Sequence, residues 1–223
     1  GVLQLEHEQI SAYLERWDRY LQSDAIIMKF VPASGAASRM FKDLFEFLSG
    51  ESEVPTRPAE IQFFDNITNF AFYKLLDQAC RATSGKTITE LLQEGAYKTI
   101  VATLLNADGL NYGALPKGLL QFHTYDTFTR TPFEEHLSEG ALYAMNKQNE
   151  VNIHFTVSSE HRPLFQQHLA EVRLVYEESL GAKFNLGFSE QKPSTDTIAA
   201  DEHNEPFRED GKLVFRPGGH GAL

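Results

Sequence analysis

Past an apolar run, "AIIMKFV" (25–31), and Pro32, seven residues have the types needed to grip an anion: Ala33, Ser34, Gly35, Ala36, Ala37, Ser38 and Arg39. Small side chains let backbone N–H groups approach a phosphate closely. A helix that follows turns its positive end toward the same point, and a guanidinium adds a forked contact. A strand-to-helix turn kept small for packing alone would use the same residues. With Gly35 as its one glycine, the stretch is neither the dinucleotide fingerprint nor a P-loop.

Other residues compete for a chemical role. Lys117 sits in "LPKGLL" (115–120), a glycine-flanked loop from which a lysine can reach phosphate oxygens. "ATSGKT" (82–87) contains Gly-Lys-Thr, but Cys80 stands where a P-loop needs glycine and a helical stretch precedes it. Gly85 there reads as a helix-ending glycine. "RPGGHGAL" (216–223) places Gly219 and Gly221 around His220, a backbone open to close approach or a loose tail. The histidines, His136 and His161 among them, show no metal-ligand spacing, and no G-x-S-x-G elbow offers a nucleophilic serine.

The elements that must position these residues follow from periodicity. Ile10, Tyr13, Leu14, Trp17, Tyr20 and Leu21 give a helical stripe over 4–22, and 25–31 reads as a buried strand. Phe41, Leu44, Phe45 and Leu48 mark the inner face of the next helix. Residues 59–106 read as helical, with Ile67, Phe70, Ala71 and Leu75 on one stripe and Leu91, Leu92, Ile100 and Leu104 on another. "TPFEEHLSEGALYAMNK" (131–147) is a helix with proline in its first turn. "VNIHFTV" (151–157) and "KFNLGF" (183–188) alternate as strands, on either side of a helix through Phe165, Leu169, Val172 and Tyr176. "EDGK" (209–212) predicts a tight turn.

That order implies an α/β fold, a mainly parallel sheet covered by helices. A helical insertion occupies about 50–110. The chain of 223 residues is expected to form a single domain, 1–223, cut at its C-terminal end, because it stops on a glycine-rich loop just after a strand. A net charge of −11 argues against a nucleic-acid surface, which needs a basic stripe. It leaves room for small anions held by local cations. A single cysteine, Cys80, excludes a disulfide framework and points to a reducing, cytoplasmic setting. No apolar run approaches the roughly 18–20 residues of a membrane span, so no membrane partner is expected.

In order along these elements, the motifs resemble the sugar nucleotidyltransferases, most closely the UDP-sugar pyrophosphorylase type. "ASGAASRM" is similar to that type's G-G-x-G-T-R-[LM] loop, with Ser34 and Ala37 at two usual glycines and Ser38 at the threonine. "LPKGLL" matches its Pro-Lys-Gly loop. "FTVSSEHRPLFQ" resembles its M-T-S turn, with Ser158 and Ser159 in place. "FSEQKPS" resembles F-x-Q-x-x-x-P through Phe188, Gln191 and Pro193, and "RPGGHGAL" its sugar-side loop. The chain also looks like members of an uncharacterised bacterial family of larger proteins, common in Bacteroidetes.

The resemblance implies a Rossmann-like, GT-A-like nucleotidyltransferase fold. It implies transfer of a nucleotidyl group, uridylyl in this type, from a nucleoside triphosphate to a sugar-1-phosphate, with Mg²⁺ on the phosphates. Ser34, Gly35, Ala36, Ala37 and Ser38, with Ser158 and Ser159, would bind the nucleotide. Arg39 and Lys117 would act on the phosphates, and Gly219, His220 and Gly221 would face the sugar. No matched motif supplies a metal-binding aspartate. The alternatives are a catalytically idle nucleotide or sugar-phosphate binding module, a glycosyltransferase, for which the expected D-x-D motif is missing, and a helical interaction domain without a ligand. Arg39 and Lys117 stand 78 positions apart (117 − 39), with the helical insertion between them. Their distance in space therefore decides whether they can act as a pair.

Overall fold

In the computed structural model of the chain, residues 3–216 are described. Its elements run α1 (His7–Leu21), β1 (Met28–Pro32), α2 (Lys42–Ser49), α3 (Pro58–Asp65), α4 (Tyr73–Ser84), α5 (Ile88–Gln93), α6 (Tyr97–Leu105), β2 (His123–Thr124), β3 (Thr129–Arg130), α7 (Pro132–Tyr143), β4 (Glu150–Val157), α8 (Arg162–Leu180) and β5 (Lys183–Glu190). Four two-residue strands close the described chain: β6 (Thr197–Ile198), β7 (Arg208–Glu209), β8 (Lys212–Leu213) and β9 (Phe215–Arg216). This is a mixed α/β structure. The chain divides into two compact units, one comprising the residues through Pro32 with Glu134–Gln191, the other Ala33–Phe133 with the described residues from Lys192 on.

The first unit is built on a parallel sheet of three strands in the order β1-β4-β5. Parallel pairing requires a crossover between β4 and β5, and α8 supplies it. In β4, Val151, Ile153, Phe155 and Val157 are fully buried. Phe155 stacks on Phe188 at 5.8 Å, and Phe165 of α8 packs on Phe188 at 6.5 Å. These contacts put the helix over one face of the sheet. Asn152, His154 and Thr156 point to the other face. There Asn185 donates to Asn152 at 3.1 Å, His154 meets Ser189 at 2.8 Å, and Phe30 stacks on His154 at 5.4 Å. The apolar stripe of α1 buries no residue: Ile10, Tyr13, Leu14 and Tyr20 are exposed. Trp17 Nε1 still donates to the Tyr143 carbonyl at 2.8 Å.

The second unit has its own core, formed by α2–α6 and the segment that follows them. Leu76, Cys80, Ile88, Ile100, Val101 and Leu104 are fully buried in it, and Phe64 packs edge-on against Phe47 and Tyr97. The stripe predicted through Ile67, Phe70 and Leu75 does not exist as one helix. The chain breaks at Asn66, runs through a short 3-10 turn, Ile67–Asn69, and restarts at Tyr73. Phe70 and Leu75 end up exposed, while Leu76 and Cys80 turn inward. The inner face of α2 is Leu44 and Phe47; Phe45 is exposed. Gly85 ends α4 in the left-handed conformation, at φ +75°, as its place in "ATSGKT" predicts. Lys86 pairs with Glu94, and Thr87 caps α5 in a reciprocal box with Glu90. The segment is a helix-to-helix junction, with no strand ahead of it. The "EDGK" turn also forms, Asp210 and Gly211 linking β7 to β8.

Candidate functional site

Within the second unit, the two segments that could touch phosphate lie side by side. Ala37 donates its N–H to the Leu115 carbonyl at 3.3 Å, and Lys117 donates its own to the Gly35 carbonyl at 3.0 Å. Ala36 and Pro116 thereby form an antiparallel bridge. The helical insertion returns the chain to its starting point, so the long separation in sequence costs nothing in space.

The return depends on how the chain leaves α6. Leu110 donates back to the Thr103 carbonyl at 2.8 Å, Tyr112 to Leu104 at 3.0 Å and Gly113 to Leu105 at 3.1 Å. Gly109 passes so close that a Cβ there would lie 1.9 Å from the Thr103 carbonyl oxygen. Beyond the lysine, the Gln121 N–H donates to Tyr112 Oη at 3.1 Å. Tyr112 is buried, and burial pushes its phenol up. Gly109 and Tyr112 are positioning residues that no local motif marks; their roles arise from where the chain folds back.

Arg39 lies in the turn before α2 and not in the helix, which starts three residues later at Lys42. The turn is closed by Met40 donating to Ala37 at 2.8 Å and Phe41 to Ser38 at 3.3 Å. The side chains of Arg39 and Lys117 are exposed. Neither side chain has an ion pair or hydrogen bond among the described residues. Other cations of the unit differ: Arg57 joins Glu46 and Glu60, Arg81 joins Asp77, and Lys98 joins Glu53. Arg39 and Lys117 are thus two cations without a partner among the described residues, on segments joined by backbone hydrogen bonds, the residue types that could draw an anion to an acidic chain.

The loop itself is partly committed. Ala37 spends its N–H on Leu115, and its methyl is fully buried in the core of the unit. The N–H groups of Ser34, Gly35, Ala36 and Ser38 have no hydrogen bond among the described residues and stay available. Alanine at 37, in place of a usual glycine of the resemblance, is thus a core residue.

In the first unit, Ser158 and Ser159 follow β4 directly at the carboxyl edge of the sheet. The Ser158 hydroxyl is engaged with His161 Nδ1 at 2.7 Å, and the Ser158 carbonyl accepts from the N–H groups of His161 and Arg162. Ser158 therefore shapes the entry to α8, while Ser159 is exposed. At the same edge Gln191 donates its N–H to Val157 at 2.9 Å. Gly219, His220 and Gly221 lie outside the described residues.

Burial lowers the pKa of His136, whose Nδ1 meets Glu139 at 3.3 Å. Burial also pushes the Cys80 thiol up, which leaves it an unreactive core residue. Among the described residues no group of three or more His, Cys, Asp or Glu could hold a metal ion. No helix there is long and apolar enough to cross a membrane.

The model of a family described as a domain of unknown function (DUF4301) matches residues 1–223. No curated protein and no solved structure matches the chain.

Proposed function

We propose, for a chain that belongs to the DUF4301 family, a sugar-1-phosphate nucleotidyltransferase of Rossmann-like, GT-A-like architecture working in the cytoplasm. It transfers a nucleotidyl group, uridylyl by the resemblance, from a nucleoside triphosphate and releases pyrophosphate. The observation that carries the reading is the bridge between 35–37 and 115–117, which joins an open N–H loop and two unpaired cations.

In the reaction, an oxygen of the sugar-1-phosphate attacks the α-phosphorus. A new P–O bond forms, the bond to the β-phosphate oxygen breaks, and the electron pair leaves with pyrophosphate. Such a transfer needs alignment and charge neutralisation more than covalent help. Lys117 and Arg39 would supply positive charge where the triphosphate is most negative. The N–H groups of Ser34, Gly35, Ala36 and Ser38 would hold its oxygens. The Mg²⁺ that the resemblance implies finds no assembled protein ligand set among the described residues.

The test is pyrophosphate release by the protein with Mg²⁺, a panel of triphosphates and a panel of sugar-1-phosphates. Turnover that falls about a hundredfold in Lys117→Ala and in Arg39→Ala supports the roles. Turnover unchanged in both variants overturns them.

One observation favours a second reading. Ala37 has no N–H left for a ligand, so the loop is a donor short, as a catalytically idle binding module would tolerate. Triphosphate binding without pyrophosphate release in the intact protein would select it.

A further inference from the structure

The second unit holds a cavity of about 580 Å³, a volume in the range of small-molecule sites. Its lining is continuous with both cation-bearing segments. Met40 and Phe41 line it and directly follow Arg39. They also close the turn that carries Arg39, donating to the carbonyls of Ala37 and Ser38. Leu120 lines the cavity as well, and its N–H reaches the Lys117 carbonyl at 3.3 Å across a short 3-10 turn, Lys117–Leu119. Met40 is 49% exposed, so an accessible part of the lining stands one residue from Arg39.

The lining selects against charge. Eleven of its fifteen residues are apolar or aromatic, and Asp43 is the one that carries a charge. A negative group and apolar walls keep phosphate outside, and a hydroxyl-covered sugar gains little against them. A largely apolar ring gains in proportion to the area it buries, with no need of a fixed set of polar partners. Phe63, Phe70 and Phe72 touch in series, with ring centroids 5.3 and 5.0 Å apart, and all three line the cavity. They form one aromatic wall. That wall belongs to α3 and to the segment after Ile67–Asn69, within the helical insertion, which none of the motifs of the resemblance includes.

Building on the triphosphate reading, we propose that this cavity receives the nucleobase of the nucleotide whose phosphates lie at the small-residue loop and Lys117. The phosphates stay with the cations, and the base buries its apolar surface among Met40, Phe70 and Phe122. The helical insertion then has two tasks. It returns Lys117 to the loop, and it supplies the wall for the base.

Calorimetric titration with UTP and with inorganic tripolyphosphate tests the proposal, since the second ligand has the phosphates and no base. Phe70 and Phe122 are 36% and 56% exposed, so truncating them leaves the core packed. Phe70→Ala and Phe122→Ala should each weaken UTP about tenfold and leave tripolyphosphate unchanged. Lys117→Ala should weaken both ligands. UTP affinity unchanged in both phenylalanine variants overturns the base pocket while the phosphate reading stands. Equal weakening of UTP and tripolyphosphate in those variants also overturns it, because the loss is then not at the base. Absence of binding by either ligand, or binding of both unchanged in Lys117→Ala, overturns the phosphate reading and the pocket with it.

Discussion

Lys117 donates its backbone N–H to the carbonyl of Gly35 at 3.0 Å, and Ala37 returns the pairing through Leu115 at 3.3 Å. Two hydrogen bonds of this kind contribute about 1 kcal/mol each. Their greater effect is geometric, since they fix the base of the lysine against the small-residue loop. Ala37→Pro removes the second donor and crowds a fully buried position. It should cost about 2–4 kcal/mol in unfolding free energy and weaken triphosphate binding. Ala37→Gly keeps the N–H and loses only the methyl, and should cost about 1 kcal/mol with binding retained. Denaturant titrations paired with calorimetry separate the two.

Gly109 is the point where the chain turns back off α6. A methyl there meets the Thr103 carbonyl at 1.9 Å, and backbone cannot yield as a flexible side chain can. Gly109→Ala should therefore cost about 3 kcal/mol or more. Because the same segment carries Lys117, triphosphate affinity should fall with it. Thermal melts of the variant check the first effect, and titration of the fraction still folded checks the second.

Glu60 ties α3 to α2 through Arg57. Its side chain is almost wholly buried, which by itself would raise the carboxyl pKa. The N–H groups of Arg57 and Thr56, at 3.0 and 2.9 Å, and the Arg57 guanidinium outweigh burial and hold it below its ordinary 4.5. A lowered folded-state pKa gives stability that is present above 4.5 and lost as pH falls through the folded value. Urea unfolding between pH 6 and pH 3 should show stability dropping on the acid side. Glu60→Gln should flatten that drop and cost about 1–3 kcal/mol at neutral pH.

In the first unit, Lys29 of β1 reaches Glu139 of α7 at 2.6 Å with its side chain only 9% exposed. It also donates to the His136 carbonyl at 3.3 Å. Glu139→Ala strands that ammonium and should cost about 1.5–3 kcal/mol. Glu139→Gln keeps an acceptor and should cost less. Chemical denaturation of the two variants gives the comparison.

The sheet is written plainly in local pattern. Val151, Ile153, Phe155 and Val157 alternate, and Phe165 and Tyr176 repeat at helical spacing, so β4 and α8 can be read from periodicity alone. The helical insertion is harder, because Asn66 and the turn after it interrupt a stripe that looks continuous through Leu75. The exposed stripe of α1 carries the same signal as a buried one. Least legible is the meeting of Gly35 with Lys117. It depends on the summed path of α2–α6 and on a close approach at Gly109, and no window of sequence contains both partners. The residue types of the loop and the lysine are visible; their adjacency is a property of the fold.

The most direct measurement is calorimetric titration of the protein with UTP, beside the Arg39→Ala/Lys117→Ala double variant. Removing both cations takes away two charge-assisted hydrogen bonds to phosphate, so binding should weaken by at least about a hundredfold in the double variant. The thermal melt should not change, because both side chains are exposed and unpaired. Equal affinity in the two proteins, or no binding by either, would contradict a triphosphate held between the small-residue loop and Lys117.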